Sequence, residues 1–295
     1  MRGGATSVPA DAAAADLLDF VERHPRLFVL TGAGISTDSG IPGYRDEQGR
    51  WQRSAPMTIT AFMSGHAARQ RYWARSMVGW PVAAAAQPNI SHRVVARLGE
   101  AGRIAALVTQ NVDGLHQRAG SRDVIELHGS IGQVICLSCA TRYPRAYIQR
   151  WLWLHNPEFR DVSALPAADG DAHLESPLFD NFTVPACEVC EGVLKPDVVF
   201  FGESVPRERV EAGREALGRA DALLVIGSSL TVFSGYRFSL WAQERGLPVA
   251  ALNLGTTRAD PLLTLKLSAP IGPTLAALAE ALQLDVGDPP ADHPS

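Results

Sequence analysis

An apolar run, Leu27-Phe-Val-Leu30, passes through Thr31 straight into Gly32-Ala33-Gly34-Ile35-Ser36. That junction constrains the chain more than any other stretch. Four successive apolar residues suit a strand buried on both faces, and the glycines that follow allow a tight turn with a helix opening at Ile35. A strand, a glycine-rich turn and a helix start make a phosphate cradle, because the first N–H groups of a helix have no internal partner and lie at the positive end of its dipole. Gly32, Ala33, Gly34, Ile35 and Ser36 are therefore candidate binding residues for a nucleotide. The dehydrogenase pattern G-x-G-x-x-G is not met. The third glycine comes late, at Gly40, and Ile41-Pro42 breaks any helix there. About 20 positions on, where a ribose-binding carboxylate would stand, lie Arg53, Ser54 and Ala55. Taken alone, the glycines fit a ligand-free tight turn as well.

The same alternation recurs downstream. Short apolar segments predict strands at Ile104–Val108, Val124–Leu127, Asp197–Phe201, Ala222–Ile226 and Pro248–Asn253. Helical patterns cover 11–24, Ala67–Met77, Ser91 to about Gly102, 206–219, 234–245 and Ile271–Leu282. Strand and helix in this rhythm predict an α/β fold, a doubly wound parallel sheet covered on both faces. Residues 47–65 read as a loop able to close over a ligand. With 46% apolar and 20% charged residues in 295, the chain can bury a sizeable core. Its net charge of −4 argues against a nucleic-acid-binding surface, which needs lysine and arginine in excess. No apolar run reaches the roughly 18 residues that cross a bilayer, and Met1–Asp16 lacks the core of a secretory signal, so a cytoplasmic protein without membrane partners is expected.

All four cysteines lie in two Cys-x-x-Cys pairs, Cys136/Cys139 and Cys187/Cys190. This spacing brings four thiolates to a tetrahedral zinc with no open position, which makes the metal structural. A redox pair or unliganded thiols is the other reading. The 47 residues between the pairs hold an acidic stretch from Glu158 to Asp180 that reads as a surface-exposed insert. Gly227-Ser228-Ser229 and Asn253-Leu254-Gly255 each follow an apolar strand, where open α/β sheets bind ligands. Either could be an ordinary turn. Three such turns at one sheet edge favour a dinucleotide site.

Gly32-Ala-Gly-Ile-Ser36 with Gly40-Ile-Pro-Gly-Tyr44-Arg45-Asp46, Thr109-Gln110-Asn111-Val112-Asp113-Gly-Leu-His116, Glu126-Leu-His128-Gly129, the cysteine pairs, Gly227-Ser-Ser229 and Asn253-Leu-Gly255 together resemble the signature of the sirtuins, in one order from about residue 20 to about 280. The finer pattern is similar to class II members, the bacterial and mitochondrial group. The resemblance implies a Rossmann-like NAD-binding domain at 11–40, 92–130 and 195–285, a cofactor loop and helical module at 41–91, and an inserted zinc domain at 131–194, with disordered tails at 1–10 and 286–295. It implies an NAD-dependent protein-lysine deacylase in which NAD is consumed and the acyl group passes to ADP-ribose. Transfer of ADP-ribose to protein, or a silent NAD- and zinc-binding module, are the alternatives.

The residues around Asn111 and His128 gain most from the likeness. By themselves, Asn111 and Asp113 look like helix caps, and His128-Gly129 like a turn. By resemblance, Gln110, Asn111, Val112 and Asp113 line a nicotinamide pocket, with Asn111 and Asp113 on the carboxamide and ribose. Tyr44 and Arg45 join the cofactor site, and Ile271 meets the adenine. His128 becomes the catalytic base, a role that suits an imidazole titrating near neutrality. Lys195–Glu203 and Ser229–Phe233 become two edges that sandwich the substrate peptide as an added strand; core packing is the other reading of Val198–Phe201. Tyr72-Trp-Ala-Arg75 resembles the Tyr-x-x-Arg pair of sirtuins that remove acidic acyl groups, which implies that succinyl- and glutaryl-lysines are accepted as well as acetyl-lysine, with Tyr72 and Arg75 in the acyl pocket. Without that likeness it is a solvated basic helix face.

Overall fold

The computed structural model describes residues 8–43, 56–160, 162, 165–166, 171–174 and 177–287. Its strands, in chain order, are β1 (Leu27–Thr31), β2 (Ile104–Thr109), β3 (Ile125–Glu126), β4 (Gly129–Cys136), β5 (Arg142–Pro144), β6 (Leu165–Pro166), β7 (Ala172–His173), β8 (Leu194–Val198), β9 (Ala222–Ile226), β10 (Val249–Leu252) and β11 (Leu265–Leu267). Six of them form one wholly parallel sheet in the order β11-β10-β9-β1-β2-β3.

Every residue of β1, β9 and β10 is buried, because helices cover both faces of the sheet. Side chains alternate with the pleat. Leu27 and Val29 of β1 join Leu17, Val21, Val94 and Leu98 on one face, while Phe28 and Leu30 join Leu217, Phe238 and Ala242 on the other. The chain runs outward from β1 to β2 and β3, and later re-enters the sheet on the opposite side of β1, at β9. The carboxyl ends of β1 and β9 therefore lie side by side, Thr31 in register with Ile226. That reversal of strand order opens a crevice above the sheet.

The segment Asp197–Phe201 departs from its expected place. β8 ends at Val198 and pairs antiparallel with β4, in a separate sheet ordered β5-β4-β8. Pro196 sits in this edge strand, where its missing N–H removes no central ladder bond. The apolar run beyond it, Val199 to Phe201, becomes a wall of the crevice. The helix expected at Ala67–Met77 extends over His66–Ala85, straight through Pro81. Pro81 cannot donate to the carbonyl of Met77, four residues earlier; the Gln149 side chain does so instead at 2.8 Å. Arg145 of the same helix, Arg145–His155, reaches the Ser76 carbonyl at 3.1 Å and stacks on Trp80 at 4.9 Å. Burial holds this guanidinium down to about 9.

The acidic insert is not simply a solvated surface. Phe159, Phe179 and Phe182 are buried, and so is Asp171, whose carboxylate lies 2.9 Å from Arg75. Gln70 donates to the Asp180 and Phe182 carbonyls. The segment is folded onto the helix His66–Ala85 by these bonds. Within the expected loop at 47–65, Ile59–Met63 forms a short helix capped by Thr58, and residues 44–55, with Tyr44 and Arg45, lie outside the described residues. So do 1–7 and 288–295 of the expected tails; Val8 already donates to the Ser268 carbonyl.

Four thiolates close the small sheet. Their sulfurs all lie within 4.8 Å of one another, with Cys136–Cys190 and Cys139–Cys187 at 3.6 Å. A tetrahedron of sulfurs about 2.3 Å from zinc has edges of roughly 3.8 Å, so the set fits that ion. The two pairs fold alike. After each second cysteine the chain turns left-handed, at Ala140 (φ 60°) and Glu191 (φ 56°), and the N–H of that residue returns to the carbonyl of the first cysteine. Gly192 leaves the room the metal needs, because a Cβ there would lie 2.8 Å from the Cys136 sulfur. Tyr143 adds an outer contact, 3.2 Å from the Cys187 sulfur. Purified protein is expected to hold about one zinc per chain by metal analysis. Cys187→Ser should lose most of that zinc and melt at lower temperature, because metal binding and local folding are linked; full zinc retention would show that Cys187 is not a ligand.

Candidate active site

Above the carboxyl ends of β1 and β9 lies a cavity of about 1200 Å³. It exceeds the roughly 300–1,000 Å³ of ordinary small-molecule pockets, which leaves room for a dinucleotide and part of a peptide. Three turns anticipated from sequence meet on its wall: Gly32, Ala33 and Gly34 after β1, Gly227, Ser228 and Ser229 after β9, and Asn253 and Leu254 after β10. Ile271 lines the same wall, as do Gln110, Asn111, Val112 and His128.

The glycines have a different first use from the one expected. A Cβ at Gly32 would stand 2.7 Å from that of Ser228, and one at Gly34 would stand 2.8 Å from the Gly227 Cα. The Gly32 N–H donates to the Ile226 carbonyl at 3.0 Å and that of Gly34 to the Gly227 carbonyl at 2.8 Å. Absent side chains thus let the turns after β1 and β9 lock together. The helix that opens beyond is a 3-10 helix, Ala33–Ser39, two residues ahead of the expected start at Ile35. Ile35 packs into the core, Ser36 is buried, and neither Gly40 nor Gly255 reaches the large cavity. Gly40 lines a smaller hollow of about 480 Å³ with Pro42 and Pro81.

Ser36, Asn111 and Asp113 converge although 75 residues separate the first from the second. Ser36 donates to the Asp113 carboxylate at 2.7 Å and accepts from the Asn111 amide at 3.0 Å. The other Asp113 oxygen takes the Leu115 N–H at 3.0 Å. Behind them, His92 accepts the Asn89 N–H at Nδ1, which leaves its proton on Nε2, facing Ser36 at 3.4 Å. His116 Nε2 meets the Thr31 hydroxyl at 2.9 Å. Burial pushes His92 down to about 2 and His116 to about 4, so both are neutral at pH 7. Asp113 and Ser36 thus stand behind Asn111, which lines the cavity, and no imidazolium faces the Asp113 carboxylate.

His128 is set differently. Its Nδ1 lies 2.8 Å from the Gln110 carbonyl, an acceptor only, so Nδ1 holds the proton and Nε2 is the basic nitrogen. Gln110 is itself pinned by the Ser228 hydroxyl at 2.7 Å. Burial lowers the His128 pKa below its ordinary value and the Arg209 charge lowers it further, against the opposing pull of the Gln110 carbonyl. The ring is a neutral base at pH 7. Nε2 meets the Ser234 hydroxyl at 2.7 Å, so a substrate hydroxyl that yields its proton there must displace Ser234. Gly235 follows, where a Cβ would lie 2.4 Å from the Gln110 amide and push it from its bond with Ser228.

The opposite wall is Val198–Glu203, shaped by a buried pair. Lys195 reaches both the Val198 carbonyl and the Glu203 carboxylate, the latter at 3.0 Å. Its burial lowers the Lys195 pKa, against the attraction of Glu203. Sequence reasoning missed this pair and Ser234; their spacing carries no periodic signal. Tyr72 and Arg75 are not on the cavity wall. Tyr72 packs one layer behind it, its ring 5.3 Å from that of Phe200, and Arg75 is held by Asp171 and by the Ala172 carbonyl at 2.8 Å.

Comparison with known proteins agrees with this geometry. A family model described as Sir2 family matches residues 32–234. An NAD-dependent protein deacetylase of Xanthomonas campestris pv. campestris (strain 8004) is 57% identical over 264 residues, covering 90% of each chain. One of Bordetella bronchiseptica is 55% identical, covering 88% of this chain and 95% of that protein. Among solved structures, a Sir2–p53 peptide–NAD+ complex superposes with a TM-score of 0.72 at 30% identity, over 91% of this chain and 98% of that one. A Sir2 bound to acetylated peptide gives 0.70 at 29%, with the same coverage. With a matching model over more than half its length and relatives this similar over nearly all of it, the chain belongs to the Sir2 family.

Proposed function

We propose that this protein is an NAD-dependent protein-lysine deacetylase. The observation that carries the reading is the meeting, in one cavity, of the β1 and β9 turns with a neutral histidine whose basic nitrogen faces a hydroxyl. NAD, when bound, supplies the ribose carbon that the acyl oxygen attacks, and nicotinamide as the leaving group. The chain's own residues do the rest. Gly227, Ser228 and Ser229 receive phosphate oxygens, Asn253 and Leu254 a ribose, and Ile271 the adenine. Asn111 and Asp113, fixed through Ser36, orient the nicotinamide half, while Val198–Gly202 and Ser229–Phe233 hold the peptide backbone between them. With NAD and acyl-lysine bound, His128 Nε2 would accept the proton of a ribose hydroxyl, and that oxygen would take the acyl group as the lysine nitrogen leaves as an amine, with one water consumed to complete the balance. The zinc stays structural, since four thiolates leave no open position.

On this reading the nucleotide-binding domain comprises 11–40, 92–130 and 195–285, the module at 41–91 contributes the cofactor loop, and 131–194 is the zinc domain. Protein substrates are supported by the peptide complexes among similar structures. Among the described residues no helix is long and apolar enough to cross a membrane, and a cytoplasmic site of action fits the bacterial relatives.

The test is turnover of acetyl-lysine peptide with and without NAD, alongside transfer of labelled NAD to protein. Deacetylation that requires NAD supports the reading, and label transfer without it favours ADP-ribosylation. His128→Ala is expected to lower kcat/KM about 10²- to 10⁴-fold, the usual worth of a general base, while NAD affinity stays close to the parent's. A variant that deacetylates at the parent rate would remove His128 from the mechanism.

Acetyl is the favoured acyl group because Arg75 already has a carboxylate. Its ion pair with Asp171 is largely buried, side-chain exposures being 17% and 5%, and breaking such a pair to receive a succinyl group leaves Asp171 uncompensated. Arg75→Met should therefore leave the ratio of succinyl to acetyl kcat/KM near the parent value. A large selective loss of succinyl turnover would return Arg75 to the acyl pocket.

A further inference from the structure

Beside the Ser229–Phe233 edge, arginine side chains lie on aromatic rings without carboxylate partners. The Arg237 guanidinium stands 5.0 Å from the Phe233 ring and 6.0 Å from Trp241. That of Arg258 lies 4.3 Å from Tyr236 and 5.9 Å from Phe233, and donates to the Thr231 carbonyl at 3.3 Å. Arg237 and Phe233 line the large cavity, and Phe233 is 51% exposed. Arg237 Nε is buried with no hydrogen-bond acceptor. Among the described residues, neither Arg237 nor Arg258 has an ion pair, whereas Arg26, Arg75, Arg142 and Arg207 each meet a carboxylate.

This is an unusual disposition in a chain of net charge −4, which has carboxylates to spare. A guanidinium resting on a ring face is held by cation–π attraction while the N–H donors in its own plane remain available. It is then a pre-oriented fork for a planar carboxylate. Its place matters as much as its chemistry. Arg237 is one helical turn beyond Ser234, whose hydroxyl touches His128, and Arg258 is bonded to the backbone of the peptide-binding edge itself.

We propose that Arg237 and Arg258, stacked on Phe233, form a subsite for an aspartate or glutamate side chain near the acyl-lysine of the protein substrate. The inference rests on the deacetylase reading and names the substrate class within it: acyl-lysines in acidic sequence surroundings.

The test uses full-length zinc-loaded protein and acetyl-lysine peptides that differ only in flanking residues, with Glu, Ala or Lys on either side. Turnover of the Ala peptide first establishes the deacetylase reading; its absence would end that reading without bearing on charge preference. The parent is expected to favour the Glu over the Ala peptide about three- to tenfold in kcat/KM, as a partly screened charge-assisted contact would give. The preference should shrink as salt is raised. In the Arg237→Met, Arg258→Met double variant the Glu-to-Ala ratio should fall to about one, and Arg237→Lys should restore only part of it, because an ammonium lacks the planar fork. No Glu preference in the parent overturns the proposal, a result that needs no variant to fold. An unchanged ratio in the double variant also overturns it.

Discussion

Two turns lock together above the sheet, and the site depends on how closely they approach. Gly34 and Gly227 come so near that a methyl group on either would strike backbone. Their hydrogen bonds tie the end of β1 to the end of β9, and the doubly wound order of the sheet makes those two strands neighbours. Everything on the cavity wall inherits its position from this contact. Gln110 bridges the junction by bonding Ser228, and its carbonyl sets the His128 tautomer. A chain of three short bonds therefore connects the packing of glycines to the state of the base.

Electrostatics under the site follow from burial. His92 and His116 lie close together, ring centroids 5.0 Å apart, and desolvation keeps both uncharged. Neutral rings let Asp113 hold the sole charge among its immediate partners, balanced by hydrogen bonds from Ser36, Asn111 and Leu115. Burial lowers the His128 pKa in the same direction, favouring a neutral ring that can accept a proton.

The legible parts of this molecule are those in which neighbours in sequence answer to one environment. Five-residue apolar runs such as Ala222–Ile226 must be buried on both faces, so the parallel sheet could be read directly. Two Cys-x-x-Cys pairs carry their geometry in their spacing. Val198–Phe201 misled, since an apolar run says that it is buried but not which sheet accepts it. Its partner was decided by β4, which shows no strong alternation. Asp171 fell within a stretch read as an exposed acidic insert, and Arg75 was assigned with Tyr72 to an acyl pocket by resemblance; 96 positions apart, they carry no shared pattern, and only the fold makes them a pair. Ser234 was silent for the same reason.

Pro81 shows how such distant partners hold the parts of the molecule together. A proline in mid-helix strands a carbonyl, and a stranded buried carbonyl costs about 1–3 kcal/mol unless another donor reaches it. Here the donor is Gln149, from the helix that follows the first cysteine pair. Arg145, four residues earlier, donates to the neighbouring Ser76 carbonyl while its guanidinium is shared between Trp73 and Trp80. The helix His66–Ala85 is thus completed by side chains of the metal-bearing unit. Its other side carries Tyr72 against Phe200, a residue of the cavity wall. The cysteine cluster, the proline-containing helix and the Val198–Glu203 wall form one continuous packing path, so a metal with no chemical step to perform still bears on the shape of the cavity.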